Sequence, residues 1–178
     1  FSKAFIHKEK YSGESSLNKI NKIQKILKKN SINFYILNSL DSIAWLLNIR
    51  GNDVQYTPLL LCYLIIPNKG KVELFIDQKK IYNIKKRVKN YINFHSFENI
   101  DKFIENLNLK DVVGVDVSET PYHFKNLCLS KKIKIKNLNN PSLYSKAMKN
   151  STELLGAKKA NIRDGVSISK FLYWLKNE

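Results

Sequence analysis

Short apolar runs rich in β-branched and aromatic residues recur along this chain, with segments of helical period between them, and that alternation restricts its fold more than any other feature. Ser15 or Ser16 can cap a helix announced by Leu17, Ile20, Ile23, Gln24 and Leu27, ending near Asn30. Ile32–Leu37 then reads as a buried strand. Ser42–Asn48, with Ile43, Trp45, Leu46 and Leu47, reads as a short buried helix capped by Ser39 or Asp41. Ile49–Asp53 must be a turn, in which Gly51 is expected to supply a positive φ. Leu59–Ile66 and Val72–Asp77 flank Pro67-Asn68-Lys69-Gly70 as a β-hairpin. Ile81–Val88 is expected as a basic helix, Tyr91–His95 as a strand, Ile100–Leu107 as a helix, and Val112–Val117 as a parallel-type strand. Thr120–Leu129 has helical period, and Lys132–Lys136 alternates Lys with Ile as an edge strand does. The succession predicts an α/β fold, a mixed β-sheet flanked by helices.

After Pro141 the character changes. Ser142–Lys149 reads as a connector, and Asn150-Ser151-Thr152-Glu153 opens a long helix with a capping sequence. That helix carries Leu154, Leu155, Ile162, Val166, Phe171 and Leu175 among its apolar residues, and no remaining segment is left to cover them. An uncovered apolar stripe predicts a missing partner domain. Phe1-Ser2-Lys3-Ala4 reads as a cut inside a longer protein, and the carboxyl end stops within the expected helix. The expected organisation is a linker over 1–10, a domain over 11–141, and a connector with a helix of a further domain over 142–178.

The 178 residues carry 31 Lys+Arg against 15 Asp+Glu, a net charge of +16, with 43% apolar residues. That apolar content excludes intrinsic disorder, and the absence of a long apolar run excludes a membrane span. The charge invites a nucleic-acid partner. Its make-up argues against one. Only Arg50, Arg87 and Arg163 are Arg, whereas phosphate recognition leans on the guanidinium. The other bases are Lys, accompanied by 21 Asn and 20 Ile, as A/T-rich codons would give. Lysines such as Lys19, Lys22 and Lys25 are expected on the solvated faces of helices.

No self-contained catalytic constellation is visible. His7, His95 and His123 are scattered and read as surface or strand-end residues. Cys62 and Cys128 read as reduced packing residues of an intracellular protein. Gly114 fits close strand packing better than a nucleotide site, and Asp116 with Glu119 fits a turn better than a carboxylate pair. The segment Leu40–Val54 stands apart, because its Arg-Gly-Asn-Asp turn places charge where the backbone is tightly specified. Two readings are equally open. The turn presents a site, or Arg50 complements the carbonyl end of the preceding helix with Asp53 paired to it.

Leu40–Asp53 resembles the Leu-Asp-Glu-Ile-Ala-Trp-Leu-x-Asn-x-Arg-Gly-x-Asp segment of the Xaa-Pro aminopeptidases of the three-domain cytosolic type, with Ser42 in place of the acidic residue. Pro58 with Leu59–Ile66, Tyr11-Ser12-Gly13, Leu74–Asp77, and Ala147-x-Lys149-Asn150-x-x-Glu153-x-x-Gly156-x-x-Lys159-Ala160-x-Ile162-x-Asp164 are similar to the same family, whereas Lys79–Leu138 carries little that is diagnostic. The resemblance implies a creatinase/prolidase amino-terminal-domain-like fold with a ribonuclease H-like motif, followed by the first helix of a pita-bread catalytic domain. It further implies a cytoplasmic, dimeric parent enzyme that uses two divalent metals, usually manganese, to release the residue before a penultimate proline. None of the metal ligands of that family can be assigned in this chain, so the chain alone is expected to be inactive. Asp41, Trp45, Arg50, Asp53 and Tyr56 are the candidates, by this resemblance, for a substrate-cleft or interface role. A free-standing binding module of the same fold and, on charge alone, an RNA-binding protein are the competing readings.

Overall fold

The structure is a computed structural model that describes residues 3–178. Its elements are β1 (Phe5–Ile6), α1 (Glu9–Ser12), α2 (Ser16–Lys29), β2 (Phe34–Leu37), α3 (Leu40–Leu47), β3 (Ile49–Arg50), β4 (Cys62–Pro67) and β5 (Val72–Ile76). There follow α4 (Lys85–Val88), β6 (Ile92–His95), α5 (Ile100–Glu105), β7 (Val112–Val115), α6 (Tyr122–Ser130), β8 (Lys134–Asn137), α7 (Leu143–Ala147) and α8 (Ser151–Asn177).

Six strands form one mixed sheet in the order β6-β5-β4-β2-β7-β8, with β4 antiparallel to both its neighbours and the other pairs parallel. The hairpin β4–β5 turns through Gly70 at φ 84°, and β8 is an edge strand as its Lys/Ile alternation requires. The pleat sends successive side chains to opposite faces. Tyr35 and Leu37 of β2, with Leu64 and Ile66 of β4, join Ile20, Ile23 and Leu27 of α2 and Ile43, Leu46 and Leu47 of α3 in one core. Ile36 and Ile65, on the other face, meet Ile104 of α5 and Phe124 and Cys128 of α6. Both faces of the sheet are therefore covered, which is why its central strands read as continuous apolar runs.

Several local expectations are corrected. The basic helix expected over Ile81–Val88 is helical only from Lys85, following a 3₁₀ turn at Gln78–Lys80. Of the linker expected over 1–10, residues 1–2 lie outside the described residues, and residues 3–10 contain β1, which pairs with β3, and the fully buried Ala4. Helix α3 begins at Leu40, and Ser39 at its cap position donates its hydroxyl to Asp41 and Ser42 rather than accepting a backbone N–H. The apolar residues of α8 are uncovered: Phe171, Leu172, Trp174 and Leu175 are each 53–57% exposed.

Candidate functional site

Helix α3 ends at Asn48, whose φ of 51° turns the chain left-handed and leaves the last carbonyls of the helix without intrahelical partners. Side chains from two directions satisfy them. Arg50 Nη1 donates to the Ala44 carbonyl oxygen, and to that of Ile49 at 3.1 Å. Lys19 Nζ donates to the Trp45 oxygen at 2.8 Å and to Asn48 Oδ1 at 2.8 Å, and the Ser16 hydroxyl donates to the Leu47 oxygen at 2.7 Å. Two cations thus sit at the negative end of the α3 dipole. The expectation that Lys19 lies on a solvated face is overturned, because it is 1% exposed. Burial pulls its ammonium down to about 8, against the opposing charges of Glu153 and Glu14. Burial likewise lowers the Arg50 guanidinium, and it lowers His7 together with the charges of Arg50 and Lys19.

Gly51 does not supply a positive φ. Its place is set by space, since a Cβ there would fall 2.1 Å from Leu60 Cδ2. The left-handed residues of this region are Asn48 and Tyr56, the latter at φ 59°. Asp53 does not pair with Arg50. Its Oδ2 accepts from Lys80 Nζ at 2.8 Å and from the Leu61 N–H at 2.8 Å, which fixes the base of the loop on the 3₁₀ turn. A bridge between Val54 and Thr57 closes the tip, where Tyr56 is 97% exposed.

The remaining candidates point toward the C-terminal segment. Asp41 accepts from Lys146 of α7 and, at 2.6 Å, from the Ser39 hydroxyl. Burial opposes its ionisation, but these bonds and the Lys146 charge outweigh it and hold the carboxyl below the usual range. Trp45 Nε1 donates to Glu153 Oε1 at 3.2 Å, and Lys19 Nζ lies 4.4 Å from the centroid of its ring. The five candidates therefore do not converge on one point: four are engaged with different partners, and Tyr56 faces outward.

Lys19, Lys80, Lys146 and Glu153 were missed as members of this region. Only Lys19 left a signal, because Ser16, Lys19, Ile20, Ile23, Gln24 and Leu27 all lie on the buried side of α2 and a lysine in that series demands buried partners. Asn140 was also missed. Its side chain donates to Ser42 Oγ and Glu119 Oε2 at 3.1 Å each, while its backbone N–H donates to Asp116 Oδ2 at 2.8 Å. Asp116 takes the Ser118 N–H and hydroxyl as well, at 3.0 and 2.6 Å, so it organises the turn after β7. His95 lies at a strand end against Glu73 at 2.5 Å, and His123 lies near the surface against Asp101 at 2.8 Å. Cys62 and Cys128 are buried and unpaired, and burial raises their thiols to about 12 and about 11. Among the described residues no three His, Cys, Asp or Glu side chains are grouped so as to hold a metal ion, and no helix is long and apolar enough to cross a membrane.

Residues 1–153 match the Creatinase/Prolidase N-terminal domain family. Over 98% of its length the chain is 34% identical to Xaa-Pro aminopeptidase 1 of Dictyostelium discoideum, covering 27% of that protein. It is 30% identical over 99% of its length to a probable Xaa-Pro aminopeptidase P of Paracoccidioides brasiliensis, covering 30% of it. The fold superposes over its whole length on 30% of the X-prolyl aminopeptidase of Caenorhabditis elegans, described as a cytosolic enzyme with a di-nuclear active site, with a TM-score of 0.90 and 25% identity. A prolidase of Pyrococcus horikoshii matches 77% of the chain at a TM-score of 0.55 and 20% identity, covering 37% of that protein, which is a likeness of fold. The chain thus spans under a third of the length of these curated relatives. On the family match and on agreement in sequence and fold from end to end, the chain belongs to the creatinase/prolidase N-terminal domain family.

Proposed function

We propose that this chain is a non-catalytic amino-terminal portion of a metal-dependent Xaa-Pro aminopeptidase, a cytoplasmic and dimeric parent that removes the first residue of peptides with proline in the second position. The observation that carries this reading is the end-to-end superposition on the C. elegans X-prolyl aminopeptidase at a TM-score of 0.90. In this reading residues 11–141 are one creatinase-type domain, and 142–178 are a connector and the first helix of the catalytic domain. The exposed apolar side chains of α8 support that division, since so much uncovered apolar surface on one helix calls for a partner body.

The dinuclear centre does not fit the residues present here, because the described residues offer no group of three ligating side chains. The two metal ions, manganese in this proposal, are held by the rest of the parent, and no step of the reaction is assigned to this chain. Its contribution is geometric. Tyr56 at the tip of its pinned loop is the candidate that reaches outward to the substrate cleft or to a neighbouring subunit. Asp41, Trp45, Arg50 and Asp53 hold the surrounding backbone. Metal analysis tests the reading: the parent is expected to hold two divalent ions per chain and this chain alone none. Two tightly bound ions in this chain would overturn it.

A further inference from the structure

Beyond Glu153 every residue of α8 except the half-buried Ala160 is exposed, so the direction of this helix is set near its start, by the ties of its first turn and by its packing against α1. Three ties meet there. Asn150 forms a capping box with Glu153, accepting its N–H at 3.0 Å while Glu153 Oε2 accepts the Asn150 N–H at 2.9 Å. Asn150 Nδ2 donates to the Ser12 carbonyl at 2.8 Å. Glu153 Oε1 accepts from Trp45 Nε1, and the Trp45 ring lies beneath the buried Lys19 ammonium, which is itself bonded to the Trp45 and Asn48 oxygens. A continuous series of polar contacts therefore runs from α2 through α3 into α8.

Resting on the reading of the chain as part of a peptidase, we propose that Lys19, Trp45 and Glu153 form a latch that fixes the angle at which α8 leaves the domain, and that they are positioning residues for the reaction carried out by the rest of the parent. The leverage is large. The 27 residues of α8 extend about 40 Å, so a tilt of about 5° at the first turn displaces the far end by about 3.5 Å. Displacements of about 1 Å in an active site already cost on the order of a hundredfold in rate. A Trp is needed at position 45 because one side chain supplies both a face for the ammonium and an N–H for the carboxylate. The lysine is held rigid by burial, and Glu153 has both oxygens committed, so no member of the series is free to adjust alone.

Trp45→Phe separates the two roles, since it keeps the ring over Lys19 and removes only the N–H to Glu153. Lys19→Met keeps the alkyl stem and removes the ammonium. Spin labels on Lys25→Cys in α2 and Ser167→Cys in α8 report the angle, diluted with unlabelled protein so that only distances within one molecule are read. In the 178-residue chain the wild type is expected to give one narrow distance distribution, and both variants one at least about twice as wide, reflecting the lever arm of α8. In the parent, Trp45→Phe is expected to lower kcat for a penultimate-proline peptide about tenfold, with KM little changed and the melting temperature held. Unchanged distribution widths in both variants overturn the latch. Wider distributions with unchanged kcat overturn its positioning role. A parent that cleaves no such peptide overturns the functional reading and with it the positioning role, while the distances alone decide the latch.

Discussion

The carboxylate of Asp53 and the ammonium of Lys80 meet at 2.8 Å with only 7% and 14% of their side chains exposed, and this pair, not Arg50, anchors the loop that carries Tyr56. Removing one partner of so enclosed a pair leaves an uncompensated charge, at a cost of about 3 kcal/mol. Lys80→Met is accordingly expected to lower the melting temperature by roughly 6–12 °C for a chain of this size. Thermal unfolding followed by circular dichroism reads the shift, and a change under about 2 °C would show the pair to be solvated.

Two glycines are expected to respond in opposite directions. At Gly51 an added methyl meets the Leu60 side chain at 2.1 Å, so Gly51→Ala overpacks the site and destabilises by about 1–3 kcal/mol. At Gly156, in open helix, nothing lies within 4 Å, and Gly156→Ala in this chain gains about 0.4–1 kcal/mol. Urea titrations of the two variants side by side decide the matter; equal effects would contradict the close approach of Gly51 to Leu60.

Lys19 sets a pH dependence whose sign is fixed by its environment. Its ammonium titrates near 8 in the folded chain against 10.5 when unperturbed, with Glu153, Glu14, Arg50 and Lys22 as its charged neighbours. Between those values the unfolded chain binds more protons, so this group makes stability rise with pH, by at most about 1.4 kcal/mol per unit. Below pH 8 both states hold the proton and the dependence vanishes. The stability difference between wild type and Lys19→Met is expected to be flat from pH 6 to 7.5 and to grow in favour of wild type up to about pH 10. A difference that stays constant over the whole range contradicts a buried ammonium at this position.

Much of the fold was legible because period-2 and 3.6-residue patterns report burial directly. Val112–Val117 and Leu59–Ile66 read as strands, and the strands found there, Val112–Val115 and Cys62–Pro67, have both faces covered; Asn150 to Glu153 read as a cap because the reciprocal bonds depend on local spacing alone. What was not legible depended on partners distant in sequence. Lys80 lies 27 positions from Asp53, Lys146 lies 105 from Asp41, and Glu153 lies 108 from Trp45, separations at which no pattern in a single chain assigns a pairing. Gly51 was misjudged for the same reason: its conformation is ordinary, and only the position of Leu60 explains the need for glycine. The resemblance singled out a region of the sequence, but it carried no information on which of its charges face one another.

In the proposed function the peptidase chemistry resides outside these 178 residues. The most direct measurement is release of the amino-terminal residue from an Arg-Pro-Pro peptide by this chain and by its full-length parent, each with added manganese and each after chelation. Manganese-dependent release by the parent is expected, and none by this chain under either condition. Chelator-sensitive turnover by the chain alone would contradict it.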